Sequence, residues 1–349
     1  MNGKERVLKH LDGDPVDALP FMPITMMFAS DRIGAPYGEY ALDHRVLVEA
    51  QLRTAEEFGF DHVSAISDPA REAADHGAAV IYFPDQPPAI DEEHALLFDK
   101  RDLAKLQVLD PGSGRRMCDR LNALRLLKAR VGEDKLVEGW IEGPCAEAAD
   151  LRGLNRLMTD FFDDPIFVQE LMELNVSVAL RFAAAQVQAG ADIIGVGDAA
   201  SSLVGPRVYN RYVWPYQKKL VAGLKAMGTR VRLHICGNTR AILAGMGQLG
   251  CDIVDLDYPA PLSEGRQSMG PAQVLLGNID PVRVLRDGTP DTIRAAIGEC
   301  HSQAGSRYIV GAGCEIPRDT PVANVHALAE YARSHKPPTD GSETGAQER

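Results

Sequence analysis

Short apolar runs alternate with longer amphipathic segments along most of the chain. Eight runs are rich in apolar and β-branched residues, as strands are, and the segments between them repeat apolar residues at helical spacing. The predicted strands are residues 21–25, 62–66, 136–141, 193–196, 231–235, 253–257, 274–277 and 308–311. Eight strands alternating with helices favour an α/β fold of the closed (β/α)8 TIM-barrel type over an open doubly wound sheet.

The same pattern predicts how the chain is divided. No Pro- or Ser-rich linker interrupts the alternation, so we expect residues 1–335 to form a single barrel domain that opens with a helix. Residues 336–349 are polar and turn-rich, which predicts a disordered C-terminal tail. A β-hairpin, residues 80–83 with 89–90, is expected in the loop that follows the second strand.

Composition narrows the class of protein. The chain has 349 residues, of which 45% are hydrophobic, and a formal net charge of -12. An acidic surface argues against nucleic acid and against an anionic membrane as the main partner. No stretch approaches eighteen uninterrupted apolar residues, and the N-terminal segment lacks the apolar core of a signal peptide. We therefore expect a cytoplasmic protein whose six cysteines are thiols or metal ligands and not disulfides.

One short segment places two soft metal-ligand types at the end of a predicted strand. His234 and Cys236 are two positions apart, so their side chains point to the same side of a strand. Cys314 follows the eighth predicted strand, and the carboxyl ends of all barrel strands meet on one face, where catalytic groups lie. One nitrogen and two sulfur donors suit zinc, and three protein ligands with an open fourth position are typical of a catalytic site.

The same residues have a plainer interpretation. An isolated His-x-Cys pattern is weak, and buried cysteines often pack as small apolar side chains. The barrel context favours the metal for Cys236 and Cys314, although a packing role stays open. We interpret the remaining cysteines, which have no partners at metal-ligand spacing, as structural: Cys118, Cys145, Cys251 and Cys300.

Acidic residues at other strand ends are further candidates for the site. Each could be a fourth metal ligand, a partner for the imidazole of His234 or a proton acceptor, and for most of them a capping or solvated carboxylate is the plainer role. Asp198 and Glu142 are the candidate catalytic residues, and Asp198 begins a loop of small residues that would let a ligand approach closely. The full group is Glu138, Glu142, Asp198, Asp255 and Asp257.

Three residues are candidates for binding a substrate or cofactor, namely Asp68, Arg71 and Asn278. Arg71 with Glu72 could bind an anionic group of a substrate, and a surface salt bridge between the two fits equally well. Asn278 follows the seventh predicted strand, just before Asp280, which we expect to cap a helix that begins at the next residue, a proline.

The chain resembles the uroporphyrinogen decarboxylase superfamily from its first helix to about Ala332. Each of the matching segments is short, but together they are fairly specific, and they imply a (β/α)8 barrel. The segments are residues 142–144 with 146–153, 198 with 201–220, 234–238, 277–281, and 313–317 with 319–328.

Two branches of the superfamily differ at this site. The true decarboxylase uses no metal and holds its substrate's carboxylates with arginines of an N-terminal loop, but residues 22–30 here contain no arginine. Cys314 also stands where the decarboxylase has a histidine. The corrinoid-dependent methyltransferases, similar to the methylcobalamin:coenzyme M enzymes, carry a zinc triad that His234, Cys236 and Cys314 match. The resemblance implies methyl transfer, with zinc activating a thiol acceptor toward a methylcorrinoid co-substrate.

The partners follow from the same resemblance. No Asp-x-His-x-x-Gly corrinoid-binding motif occurs in the chain, so we expect the corrinoid on a separate protein that docks on the carboxyl-terminal face. The acceptor stays open between coenzyme M, another small thiol and tetrahydrofolate, and folate would make a protonatable carboxylate, Asp198 or Glu142, important. The transfer could also run in the demethylating direction, and a homodimer is compatible with the sequence.

Two other classes of function stay open. The chain could be a metal-free decarboxylase of a carboxylated substrate, as the first branch of the superfamily implies. It could also be a non-catalytic barrel that holds a corrinoid partner.

Overall fold

The computed structural model describes residues 1–337, and that part of the chain contains nine strands. All but β2 and β3 belong to one parallel sheet, in the order β1-β4-β5-β6-β7-β8-β9. The bounds are β1 His62–Ser64, β2 Val80–Ile81, β3 Ala89–Ile90, β4 Leu136–Glu142, β5 Ile193–Gly197, β6 Arg230–Ile235, β7 Ile253–Leu256, β8 Val274–Leu276 and β9 Tyr308–Ile309.

Helices connect the consecutive strands of this sheet, as parallel pairing requires. The predicted α/β barrel fold is therefore confirmed, including the opening helix. The bounds are α1 Gly3–Asp12, α2 Met27–Arg32, α3 Tyr37–Leu42, α4 His44–Phe58, α5 Arg71–His76, α6 Arg115–Val131, α7 Pro144–Arg152, α8 Leu154–Asp163, α9 Pro165–Gln188, α10 Gly205–Val208, α11 Trp214–Ala226, α12 Leu243–Gln248, α13 Leu262–Met269, α14 Pro290–Ala304 and α15 Val322–Ser334.

The sheet closes through the segment predicted as the first strand. Phe21 forms a parallel bridge with Val310 beyond β9, and its carbonyl accepts a hydrogen bond from the backbone N–H of Asp61, just before β1. The segment forms isolated bridges and not a continuous strand. The physical reason is that Pro20 and Pro23 have no backbone N–H to donate to a ladder.

Local sequence signals set the helix boundaries. Asn2 caps α1 by accepting a hydrogen bond from the backbone N–H of Glu5, and Gly13 ends that helix in the left-handed conformation with φ of 84°. Thr289 begins α14 with a reciprocal capping box to Thr292. These signals lie within a few residues of the helix ends that they mark.

The barrel interior is built in layers, because alternate residues of each strand point inward. At the amino-terminal end an apolar layer packs against Val7 and Leu11 of α1; it consists of Met22, Leu136, Ile193, Ile253, Val274, Leu276 and Ile309. Two residues further along β4 and β7 the interior becomes charged. This second layer, with its partners on β1 and β6, consists of His62, Glu138, Arg232 and Asp255, all buried.

Trp140 occupies the interior beyond the charged layer. Its indole lies across Gly195 and Gly197 of β5, where an added Cβ would approach ring atoms to 2.2 Å and 3.0 Å. Ile24 and Ile66 pack against the same ring. Strand β5 thus has no side chain at two inward positions, and the Trp140 side chain of β4 fills the space.

The remaining predictions about organisation have different outcomes. The hairpin is confirmed as β2 paired antiparallel with β3. Most of the predicted tail, from residue 338 onward, lies outside the described residues, and the single-domain division at residue 335 stays a prediction. Within residues 1–337, no helix is both long enough and apolar enough to span a bilayer.

Candidate metal centre

His234, Cys236 and Cys314 come together at the carboxyl ends of the strands. His234 is in β6, Cys236 follows that strand, and Cys314 lies in the loop after β9. Nε2 of His234 is 3.1 Å from Sγ of Cys236, and the two sulfurs are 3.8 Å apart. All three ligand atoms lie within 4.8 Å of one another. The sequence prediction that these residues meet is therefore confirmed.

The three donors fit a tetrahedral zinc ion. Zinc–sulfur bonds of about 2.3 Å in a tetrahedron separate two sulfurs by about 3.8 Å, which agrees with the observed 3.8 Å between Cys236 and Cys314. The nitrogen–sulfur separation is somewhat shorter than such a site needs, so a small movement of His234 would complete the geometry. The donor set, one imidazole and two thiols, is also one that zinc prefers.

The ionisable groups of the three residues make metal binding depend on pH. Burial lowers the pKa of His234, but Asp255 and Cys314 act in the opposite direction and hold it well above its ordinary value. The hydrogen bond with Cys236, together with burial, raises the pKa of Cys314 well above that of a free thiol. A metal would have to displace protons from these groups, so its binding should strengthen as the pH rises.

Two acidic residues predicted near the site are indeed beside it. Oδ2 of Asp255 lies 3.2 Å from Nδ1 of His234, on the side of the ring opposite the sulfurs. Asp257 accepts hydrogen bonds from the backbone N–H groups of Gly237 at 2.6 Å and Tyr258 at 2.7 Å. Asp255 therefore orients the imidazole, and Asp257 fixes the loop that carries Cys236.

Asp198 is not brought together with the metal-ligand candidates. It follows Gly197, an inward position, so its side chain faces the helix layer, where it is fully buried. Its carboxylate accepts hydrogen bonds at 2.7 Å from the backbone N–H of Ala146 in α7 and from the Gln217 side chain in α11. Burial raises its pKa to about 6. These contacts describe an anchor between two helices, and its catalytic role stays a prediction.

Glu142 lies in a group of buried carboxyl groups at the end of β4. Burial and the neighbouring Glu72 raise its pKa well above the ordinary value, and the same causes act on Glu147 and Asp150. The backbone N–H of Glu142 donates to Oε1 of Glu72 at 3.0 Å. Burial and the neighbouring carboxyl groups therefore favour the neutral form of Glu142, which suits a proton donor better than an acceptor.

Asp68 and Arg71 are part of a buried arginine cluster. Asp68 accepts a hydrogen bond at 2.7 Å from Arg116, and Arg71 donates to the hydroxyl of Ser67 at 3.0 Å. Burial and the neighbouring charges of Arg71 and Arg116 lower the pKa of Arg120 to about 10. Nε of Arg71 has no hydrogen-bond partner among the described residues. The salt bridge between Arg71 and Glu72, which the sequence suggested for the surface, is buried in the structure.

Asn278 braces the loops around the site. Its Nδ2 donates to the backbone carbonyls of Asp257 at 3.2 Å and Ala260 at 2.6 Å. Asp280 caps the turn after it by accepting hydrogen bonds from two backbone N–H groups, as the sequence indicates. Both observed roles are structural, and the predicted contact of Asn278 with a cofactor stays a prediction.

Sequence reasoning missed Arg232 and Glu315. Arg232 is two residues before His234, so strand alternation could have placed it on the same inward face of β6, but its bonds to Glu138 and Asp255 depend on the register between strands. Glu315 accepts hydrogen bonds from the backbone N–H groups of Met26 and Met27, which fastens the N-terminal segment to the loop of Cys314. No local pattern in the sequence signals this contact across the barrel.

Several known proteins are similar to this chain over nearly its whole length. A methylcobamide:CoM methyltransferase, MtbA of Methanosarcina mazei, is 29% identical over 95% of this chain and 98% of its own. The methylcobamide:CoM methyltransferase MtaA of Methanosarcina barkeri is 25% identical over 93% and 96%. A uroporphyrinogen decarboxylase of a Synechococcus species is 26% identical over 94% and 92%.

A solved structure agrees with the fold. The methyltransferase from Methanosarcina mazei superposes with a TM-score of 0.87, at 24% identity and over 96% of this chain and 98% of its own. The sequence profile named uroporphyrinogen decarboxylase (URO-D) matches residues 2–335. This chain therefore belongs to the uroporphyrinogen decarboxylase family.

Proposed function

We propose that the protein is a zinc-dependent methyltransferase that moves a methyl group between a methylated corrinoid, carried on a separate protein, and a thiol or tetrahydrofolate acceptor. The observation that carries the proposal is the cluster of His234, Cys236 and Cys314 at the barrel mouth. Two relatives of nearly the same length are methylcobamide:CoM methyltransferases, which supports the same reaction class.

The residues of the chain have distinct parts in this reaction. His234, Cys236 and Cys314 would hold zinc, which when bound would lower the pKa of an acceptor thiol and present it as a thiolate. Asp255 keeps Nε2 of His234 directed at the sulfurs by contacting Nδ1. The reaction then needs the acceptor and the corrinoid to be aligned above these three side chains.

Two further residue roles belong to the proposal. Arg71, with a buried Nε that lacks a partner among the described residues, would bind an anionic group of the acceptor, with Asp68 holding the arginine cluster in place. Glu142 would supply a proton if the acceptor is a folate, because burial and the neighbouring Glu72 raise the pKa of its carboxyl group and favour its neutral form. Asn278 would line the cofactor side of the mouth.

The first experiment is elemental analysis of the purified protein. We expect about one zinc per chain in the wild type, as a three-ligand site requires, and loss of that zinc in Cys236→Ala and Cys314→Ala. The matched control is Cys118→Ala, a half-buried cysteine outside the cluster, which should retain the metal. Wild-type protein that neither contains zinc nor takes it up would refute the proposal.

The second experiment tests the reaction. Methylcobalamin, as the methyl donor, is incubated with the zinc-loaded protein and with coenzyme M, other small thiols or tetrahydrofolate in turn. We expect the methyl group to reach one of these acceptors in the wild type and none in Cys314→Ala. Zinc-loaded protein that transfers no methyl group to any of them would overturn the assignment of the acceptor class.

A metal-free decarboxylase is the alternative, favoured by one observation. Arg71, Arg116 and Arg120 are buried together near the mouth, and such a cluster would suit a substrate with several carboxylates. The two functions differ in their metal requirement. Decarboxylation of a polycarboxylate that survives both Cys236→Ala and Cys314→Ala would favour the alternative.

A further inference from the structure

The charged layer inside the barrel lies directly behind the imidazole of His234. Barrel interiors are usually filled by bulky apolar side chains, yet Glu138 and Arg232 are completely buried here and Asp255 is 1% exposed. Removing such charges from water costs several kcal/mol per ion, so a buried ion pair by itself is a poor source of stability. The contribution of these buried charges to stability therefore does not explain why they occur inside the barrel.

The contacts form one chain across the barrel. Nε and Nη2 of Arg232 both donate to Oδ2 of Asp255, at 3.1 Å and 2.6 Å. On its other side, Nη1 of Arg232 donates to Oε1 of Glu138 at 3.2 Å. His62 of β1 ends the chain, with Nε2 at 3.7 Å from Glu138. Four strands therefore share one polar network.

The network ends on the metal-ligand candidate. Oδ2 of Asp255, the same oxygen that accepts both bonds from Arg232, is 3.2 Å from Nδ1 of His234. A carboxylate at Nδ1 places the proton there and leaves the lone pair of Nε2 free for a metal. Nε2 is the atom that faces Cys236 at 3.1 Å. The nearby Asp255 carboxylate thus favours Nε2 as the nitrogen available to a metal.

We propose that Arg232 and Glu138 are positioning residues of the metal centre. Arg232 holds the Asp255 carboxylate against His234 by two bonds to one oxygen, and Glu138 accepts from Nη1 on the other side of the guanidinium and so fixes its orientation. The inference rests on the metal site of the proposed function and deepens it. It assigns a role to inward residues on β4 and β6 that do not themselves reach the metal.

The test measures zinc affinity by competition with a chelator, together with the absorption spectrum of the cobalt(II)-substituted protein. Arg232→Met and Glu138→Gln are compared with the wild type, and Glu138→Gln, which keeps the shape of the side chain, carries the test if Arg232→Met does not fold. Asp255→Asn, which changes the group beside His234 itself, shows how large the effect can be. We expect a loss of zinc affinity of about 10- to 100-fold, the usual effect of removing a partner behind a metal ligand. The thiolate-to-cobalt absorption band should shift as well, because His234 would be oriented differently.

The matched control is Arg152→Met. Arg152 also forms a buried ion pair, with Nε at 2.6 Å from Asp160, but in helices α7 and α8 and not in the barrel interior. It should lower the free energy of unfolding while leaving zinc affinity and the cobalt spectrum unchanged.

The outcomes separate this inference from the proposed function. Tight zinc binding in the wild type with unchanged affinity and spectrum in the folded Arg232 and Glu138 variants would overturn the positioning role alone. Wild-type protein that takes up no zinc would overturn both. A loss of affinity confined to the network variants, with the control unaffected, supports the assignment.

Discussion

The buried carboxylate of Asp198 makes the stability of the protein depend on pH. Burial raises its pKa from the ordinary 3.8 to about 6, even though hydrogen bonds from Gln217 and Ala146 act in the opposite direction. An acid that holds its proton more tightly in the folded state loses stability as the pH rises. The cost is therefore absent below the unfolded pKa of 3.8 and complete above the folded pKa of about 6.

The size of the effect follows from the two pKa values. Each pKa unit corresponds to about 1.4 kcal/mol, so the full cost is about 3 kcal/mol, of which about 2 kcal/mol develops between about pH 4.5 and pH 7. Asp198→Asn removes the titration but keeps an oxygen that can accept from Ala146. The free energy of unfolding of the wild type, relative to this variant, should therefore fall by about 2 kcal/mol over that range.

The measurement is urea denaturation followed by circular dichroism at several pH values. Gly298→Ala is the control, since it changes no titratable group and its difference from the wild type should stay constant with pH. A difference between wild type and Asp198→Asn that does not change with pH would refute the reasoning. Methyl-transfer assays on the same variant test the catalytic role, because a purely anchoring residue should affect the rate little once the protein is folded.

Three further predictions concern packing and the thiols. Gly195→Ala should destabilise the protein by about 1–3 kcal/mol in urea denaturation, because its Cβ would lie 2.2 Å from the Trp140 ring. Gln186→Leu should cost about 3 kcal/mol by the same measurement, since it leaves the buried N–H and C=O of Trp140 without their partner. Zinc should protect two thiols, those of Cys236 and Cys314, from a thiol-specific reagent counted by absorbance.

Each of these three predictions has a control or a result that would contradict it. Gly298→Ala lies on a helix where the added Cβ meets nothing closer than 3.7 Å, and it should not destabilise; equal losses for both glycines would contradict the packing argument. Gln248→Leu, on an exposed helix position, should change stability by less than about 0.5 kcal/mol. Cysteine labelling that is the same with and without zinc would contradict the assigned ligands.

Much of the fold could be predicted because its signals are local. Seven of the eight predicted strands are present in the structure, and each was signalled by an apolar run that ends in a polar or glycine-containing loop. The hairpin was predictable in the same way, from its two short strands. The strand predicted at residues 21–25 failed as a continuous strand since its prolines interrupt hydrogen bonding, although the closure it provides is present. A proline count within each apolar run would have corrected this prediction.

The site was only partly predictable, for a physical reason. His234 and Cys236 are neighbours in sequence, and Cys314 joins them because parallel strands end on one face. By contrast, the link from Arg232 to Asp255 depends on register between strands, and the direction of the Asp198 side chain depends on which alternate positions of β5 face inward. Apolar periodicity does not give that register when both faces of a strand are buried.

The separation of the metal-ligand candidates along the chain has a consequence for how the barrel unfolds. Cys236 and Cys314 are 78 residues apart, and the chain between them contains β7, β8, β9 and the helices α12, α13 and α14. An ion shared by these residues would be a cross-link between the middle of the barrel and its last strand. The C-terminal third could then detach only after the metal leaves, so partial unfolding and metal loss would become a single event.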